Sequence, residues 1–199
     1  MNKKGKFIVF DGGEGSGKSS ALKYLKENLV GHDVVFTREP GGTPAAEEIR
    51  KLIISWKDQS NDRFDELTEV GLVGAARIQH IVNVIRPTLL RGGHVICDRF
   101  SASTYAYQIA GPNRKDLEGI FYFLDHAFRG ASVKNGKFIG SLEPDLYILM
   151  DIDPQVGLMR SKKRGDANRF EDKGLEFHKR AREGFFTYLF SKPHCVVDT

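Results

Sequence analysis

Near the start of the chain Gly12, Gly13, Glu14, Gly15, Ser16, Gly17, Lys18 and Ser19 fit the pattern G-x-x-x-x-G-K-[ST] in full, with Ser20 directly behind. Glycines at this spacing let successive backbone N–H groups curl around phosphate oxygens, and a helix that follows presents its unpaired N–H groups and positive dipole end to the anion. Lys18 is expected on the β- and γ-phosphates of a nucleoside triphosphate, and the Ser19 hydroxyl on Mg²⁺. A flexible glycine turn would account for the glycines but not for Lys18 and Ser19. The pattern alone does not separate GTPases, motor ATPases and kinases. A guanine-reading Asn-Lys-x-Asp after a strand is absent from the sequence, which disfavours a GTPase.

Further clusters deliver arginine from the end of an apolar run. Val34-Val-Phe-Thr-Arg38-Glu39 and Val95-Ile-Cys-Asp98-Arg99 put two arginines where open α/β sheets bind ligands. Paired guanidiniums suit bidentate recognition of a phosphate, and Asp98 suits a magnesium ion or its waters. The competing reading is a structural ion pair, Arg38 with Asp98 or Glu39 with Arg99. Arg160 to Arg169 carries five cations in ten residues. Such a run is commonly a solvated helix end or a nucleic-acid patch. Beside a phosphate loop it reads better as a lid, over about 160–170, that brings arginines to the transferring phosphoryl group.

The elements that must position these groups follow from periodicity. Short apolar runs at 7–10, 34–36, 94–97, 146–150 and 195–197 read as buried parallel strands, separated by stretches of helical spacing. Ala21, Leu22, Leu25 and Leu29 mark one helix, closed by Gly31, and Ala45, Ala46, Ile49, Leu52 and Ile53 mark a second. The longest is expected over 67–90, with Val70, Val73, Arg77, Ile81, Ile85 and Leu89 on one stripe, so that a cation stands on an apolar face. Later helices are expected near 117–128, 154–163 and 175–190. The excursion at about 130–143, with Lys134-Asn-Gly-Lys137, reads as a loop or a small Asn-Gly hairpin. The fold expected is an α/β P-loop domain spanning 1–199, with a five-stranded parallel sheet flanked by helices.

Composition narrows the partners. In 199 residues, 30 Lys and Arg against 26 Asp and Glu give a net charge of +4, consistent with an anionic partner. Because the cations cluster around Lys18, Arg38, Arg99 and the lid, a small phosphate compound is expected and a nucleic acid is not. The first apolar run is too short for a signal peptide or a membrane span. Cys97 and Cys195 make no disulfide framework and fit a reducing cytoplasm.

Taken together the residues resemble the thymidylate kinase family of nucleoside monophosphate kinases. The resemblance runs in order through Asp11 to Ser20, Thr37-Arg-Glu-Pro-Gly-Gly-Thr43, Ala75-Ala-Arg77, Asp98-Arg-Phe-Ser-Ala-Ser-Thr-Tyr-Ala-Tyr-Gln108, Pro144-Asp-Leu146 and the lid. It implies phosphoryl transfer from ATP to dTMP, giving ADP and dTDP, by a homodimer packed through helices. It also implies Arg38 and Arg99 on the acceptor phosphate, Glu39 and Asp98 near Mg²⁺, and Glu14 facing the acceptor sugar and phosphate. Arg77 would bond the base with help from Arg50, Thr104, Tyr107 and Gln108 would complete the pocket, and Arg164 and Arg169 would be the lid's catalytic arginines. Three departures stand out. Val73 and Gly74 stand where the family usually stacks a phenylalanine on thymine, so Phe64 or Tyr105 compensates, or the pocket takes a bulkier 5-substituted pyrimidine monophosphate. The excursion is an insertion, and the family usually continues into a last helix after Thr199, leaving open a chain that ends early or has been cut. Two other functions remain open: a kinase for another pyrimidine deoxynucleotide or a deoxynucleoside, and a nucleotide-binding regulatory module without turnover.

Overall fold

The computed structural model describes residues 5–55, 62–130, 133–134, 137–138, 141–164 and 170–199. Five strands, β1 (Phe7–Asp11), β2 (Val34–Arg38), β3 (His94–Asp98), β6 (Leu146–Asp151) and β7 (His194–Asp198), form one sheet in the order β2-β3-β1-β6-β7. Every neighbouring pair is parallel. The five apolar runs are thus these five strands. The expected Asn-Gly excursion shows as two short strands, β4 (Val133–Lys134) and β5 (Lys137–Phe138), paired antiparallel.

Alternation along the strands splits the core in two. Phe7 and Val9, Val95 and Cys97, and Tyr147 and Leu149 face the larger cluster. Phe10, Ile96 and Met150 face the other side, where Ala21, Leu22 and Leu25 of α1 (Lys18–Asn28) and Leu29 just past its end cover them. Both faces of β1, β3 and β6 are therefore screened from water, as a buried parallel sheet requires, whereas the edge strand β7, expected to be buried, is exposed along its whole length, because no described element covers it. Each fully buried Phe or Leu contributes about 1.5–3 kcal/mol of transfer free energy.

The larger side is built from α3 (Glu66–His80), α6 (Glu118–Gly130) and α8 (Leu175–Leu189). The helix expected over 67–90 is α3, a π-helical stretch Ile81–Ile85 and α4 (Arg86–Leu90) in continuous succession. The widening lies just ahead of Pro87, whose ring clashes with the carbonyl four residues back in a regular α-helix. All six stripe residues from Val70 to Leu89 are buried. A second composite helix, α5 (Ser101–Thr104) with a π-helical stretch Tyr105–Ala110, is buried nearly throughout. The remaining helices are α2 (Pro44–Ser55) and α7 (Pro154–Arg164). Arg164 ends α7, and Arg169 lies outside the described residues.

Candidate active site

Strand register sets up the site. Phe10 and Arg38 both pair with Asp98, so β1, β3 and β2 release their chains side by side at one edge of the sheet. β1 runs into the glycine-rich loop and then α1. Gly17 caps α1 with a positive φ and no side-chain cap bond, leaving the first-turn N–H groups for an anion. Gly15 also has positive φ, and a Cβ there would lie 2.1 Å from the Gly157 carbonyl oxygen. Gly157, in the first turns of α7, is equally constrained: its Cβ would meet the Glu14 carbonyl oxygen at 2.3 Å. The loop is thus seated backbone to backbone on α7.

Lys18 curls over this loop. Its Nζ donates to the carbonyls of Gly12 and Gly13, both at 2.8 Å, and to Ser16 Oγ at 3.2 Å. Burial, reinforced by the nearby Arg99 charge, pushes the ammonium down to about 7, against the pull of Glu14, Asp98 and Asp11. Asp11, fully buried at the end of β1, is pushed up to about 7 by the same burial, although Ser103 hydrogen-bonds it.

Arg99 has a φ of 69°, and its guanidinium reaches back across the loop. Nη1 donates to the Gly12 carbonyl at 3.1 Å and to Ser103 Oγ at 3.0 Å, and Nη2 donates to Glu14 Oε1 at 2.9 Å. Tyr107 donates its hydroxyl to the same Glu14 oxygen at 3.0 Å, with Arg99 over its ring at 5.2 Å. Burial would raise the Glu14 carboxyl, but Arg99, Lys18 and the Tyr107 bond bring it below the usual range. Arg50, on α2, donates to the Pro40 carbonyl at 3.0 Å. Burial and the charges of Arg38 and Arg99 lower its guanidinium pKa.

Behind this lies a buried polar network centred on Arg77, which is 1% exposed. Nε donates to Glu39 Oε2 at 2.7 Å, Nη1 to Asp125 Oδ1 at 3.1 Å and Nη2 to Thr104 Oγ1 at 2.8 Å, with Phe100 beneath the guanidinium. Asp125 also accepts from Ser101, Tyr188 and Arg129, so four donors converge on one buried carboxylate. The other Glu39 oxygen meets His80 Nδ1 at 2.9 Å, and His80 Nε2 lies 2.7 Å from Thr37 Oγ1. Gln108 donates to the buried Glu69 at 2.9 Å.

These groups surround a cavity of about 340 Å³, open to solvent on one side. The structure brings Glu14, Gly15, Ser16, Gly17, Lys18, Ser19, Glu39, Arg50, Val73, Arg77, Asp98, Arg99, Thr104, Tyr107 and Gln108 to its wall. Arg38 is not among them: it is half exposed and donates to Glu47 Oε2 at 2.8 Å. Gly12, Gly13 and Ser20 belong to the loop and helix start and are not on the wall. Glu39 reaches the cavity with both oxygens already engaged by Arg77 and His80.

Neither aromatic expected as a possible compensation reaches the cavity wall. Tyr105 points into the core against Phe121, Tyr122 and Tyr188, and Phe64 is not on the cavity wall. The rings that border the cavity are Phe100, Tyr107 and Phe170. A side chain at Gly74 would have to displace the Phe128 ring of α6, since a Cβ would lie 2.1 Å from it.

Sequence reasoning also missed Asp125, Glu69 and Ser103. Glu69 carried a readable signal: it stands four and eight residues before Val73 and Arg77, a second charge on the same apolar stripe. Asp125 and Arg129 form an i,i+4 pair on α6, but nothing local ties them to Arg77.

For a magnesium ion the fitting groups are Ser19 and Asp98. Both border the cavity, and Asp98 Oδ1 is buried with no hydrogen-bond partner among the described residues. The described residues hold no group of three or more His, Cys, Asp or Glu suited to a metal. Oxygen donors few in number suit an ion that keeps waters and shares phosphate oxygens.

The chain is similar to several known proteins. A protein named thymidylate kinase from Caulobacter vibrioides (strain ATCC 19089 / CIP 103742 / CB 15) is 44% identical over 197 residues, covering 98% of this chain and 88% of the relative. Another of that name from Ruegeria pomeroyi (strain ATCC 700808 / DSM 15171 / DSS-3) is 46% identical over 188 residues, covering 93% and 82%. The crystal structure of thymidylate kinase from Ehrlichia chaffeensis superposes with a TM-score of 0.70 at 30% identity, covering 98% of this chain and 91% of that one. The family model for thymidylate kinase matches residues 10–199, and with the phosphate loop, Arg99 and the buried Arg77 in one cavity wall, this chain belongs to the thymidylate kinase family.

Proposed function

We propose that the protein transfers the terminal phosphoryl group of ATP to dTMP, giving ADP and dTDP. One observation carries the reading: a single cavity joins the phosphate loop at Lys18 and Ser19 to Arg99, and continues into a compartment bounded by Val73, Arg77 and Gln108. A donor phosphate chain and a pyrimidine monophosphate can therefore face each other without crossing solvent.

In this reading the loop N–H groups, the α1 N-terminus and Lys18 hold the β- and γ-phosphates of ATP. Lys18 leaves the Gly12 and Gly13 carbonyls to do so and regains its charge. Arg99 and Arg50 grip the acceptor phosphate, and Arg38 joins them on release from Glu47. Glu14 holds Arg99 and Tyr107 in place beside the acceptor sugar. Arg77 offers the N–H groups not given to Glu39, Asp125 and Thr104 to the base. Arg164 and Arg169 supply lid charge to the phosphoryl group in flight. Ser19 and Asp98 would hold Mg²⁺, which when bound neutralises charge on the β- and γ-oxygens. Glu39 acts on Arg77 and His80 rather than as a primary metal ligand. Phosphoryl transfer needs mainly positioning and neutralisation, which this arrangement of cations provides.

Residues 1–199 act as a single kinase domain with its lid at about 160–170. The reading includes a homodimer, supported by exposed Val82, Ile120 and Phe123 on neighbouring helices, and a cytoplasmic setting, supported by two free cysteines. Among the described residues no helix is long and apolar enough to cross a membrane.

A second reading, an acceptor larger at the pyrimidine 5-position, is favoured by Val73 at the cavity wall. ADP release coupled to a chromogenic readout, with dTMP, dUMP, 5-hydroxymethyl-dUMP and thymidine as acceptors, tests both. A strong preference for dTMP is expected and eliminates the second reading. ADP release only with thymidine would replace the acceptor class. No acceptor-dependent release with any compound would overturn turnover altogether.

A further inference from the structure

Two hydrogen bonds bridge α3 to the helix over 101–110. Arg77 donates to Thr104, and Gln108 donates to Glu69. Thr104 and Gln108 stand four residues apart, about 6 Å along a helix, and Val73 lies between Glu69 and Arg77 on the opposing stripe. Arg77, Val73 and Gln108 all border the cavity.

The two bonds differ in polarity. Arg77 only donates. Gln108 could present either end of its amide to the cavity, and its neighbour decides which. Glu69 is 6% exposed, and its Oε2 takes the Gln108 NH₂ group at 2.9 Å. The Gln108 carbonyl oxygen is then left as the open end, and no described residue donates to it.

We propose that Glu69 is a specificity-determining positioning residue: by fixing the Gln108 amide it makes the site select a pyrimidine that carries an N3–H donor beside an O4 acceptor. Thymine and uracil have that pattern. Cytosine reverses it, with an acceptor at N3 and an amino group at C4, and would set its N3 lone pair against the Gln108 oxygen and its amino group against Arg77. This rests on the dTMP kinase reading and deepens it, since it assigns the discrimination to a residue that need not touch the substrate.

The test is Glu69→Gln, which keeps the shape and lets Gln108 turn either way. With two orientations of similar energy, kcat/KM for dTMP falls only about twofold, because half the molecules remain competent. Activity on dCMP rises, and the dTMP-to-dCMP ratio drops about tenfold or more from a wild-type value of at least about a hundred. A structural role alone would lower both substrates in proportion and leave the ratio unchanged, which overturns the proposal. A measurement on the unaltered enzyme covers the case in which the variant does not fold. As competitive inhibitors of dTMP turnover, dCMP and N3-methyl-dTMP should each bind at least about tenfold more weakly than dTMP binds as substrate; equal binding refutes the assignment. Failure of the parent reading looks different, since the wild-type enzyme would then not turn over dTMP at all.

Discussion

ATP binding should draw a proton from solution, and the lysine of the phosphate loop sets how much. In the free protein burial holds Lys18 down to about 7. At pH 8 it is therefore only about 10% charged. Seated among triphosphate oxygens its pKa returns toward 10.5, the ordinary value, and the group becomes fully protonated. Each binding event then takes up about 0.9 proton at pH 8 and about 0.1 at pH 6. Asp11, pushed up to about 7, retains only about 0.1 proton at pH 8 and can offset the uptake by no more than that. The terminal phosphate of ATP, with a pKa near 6, is almost fully ionised there and adds little. Calorimetric titration of the protein with ATP and Mg²⁺, in three pH 8 buffers of different ionisation enthalpy, reads the number as a slope. Lys18→Met should abolish it. A slope near zero in the wild-type protein would mean that Lys18 is charged throughout, and that burial does not govern this group.

Three other outcomes follow from contacts outside the catalytic steps. Asp125→Ala leaves two buried guanidiniums without their shared carboxylate; breaking such pairs costs about 3–5 kcal/mol, a fall in Tm of about 6–20 °C. A loss under 2 °C by calorimetry would contradict the role of Asp125 as hub. Gly74→Ala sets a methyl 2.1 Å from the Phe128 ring and should destabilise by about 1–3 kcal/mol in urea unfolding, with partial recovery in a Gly74→Ala/Phe128→Leu double variant. Titration with an aromatic disulfide reagent should find one fast thiol in the native protein, the exposed Cys195. Cys97, buried with its thiol pushed well up by that burial, should react only on unfolding.

What could be read beforehand was whatever is encoded within one element. Strands β1, β3 and β6 announced themselves as apolar runs because both faces of the sheet are covered there, the edge strand β7 carries its apolar run exposed, and the phosphate loop announced itself by spacing. The helix over 101–110 gave no such signal. It is buried almost all round, so no polar face alternates with an apolar one to reveal its period. For the same reason Tyr105 looked available to a ligand and is instead stacked in the core. Arg77 was correctly singled out as a cation on an apolar stripe. Its immediate partners, Glu39 and Asp125, lie 38 and 48 residues away, and no local spacing could pair them. The same holds for Arg38, which the strand edge delivers but Glu47, on the following helix, turns aside.

The backbone seat between the phosphate loop and α7 fixes how these two elements can move. Gly157 sits inside a helix, where glycine is about 1 kcal/mol less favourable than alanine, and only its missing side chain lets the Glu14 carbonyl come so near. The first turns of α7 are therefore anchored to the phosphate loop. The cradle and the start of α7 form one rigid reference frame, so any displacement of the loop on binding a phosphate chain must carry the first turns of α7 with it.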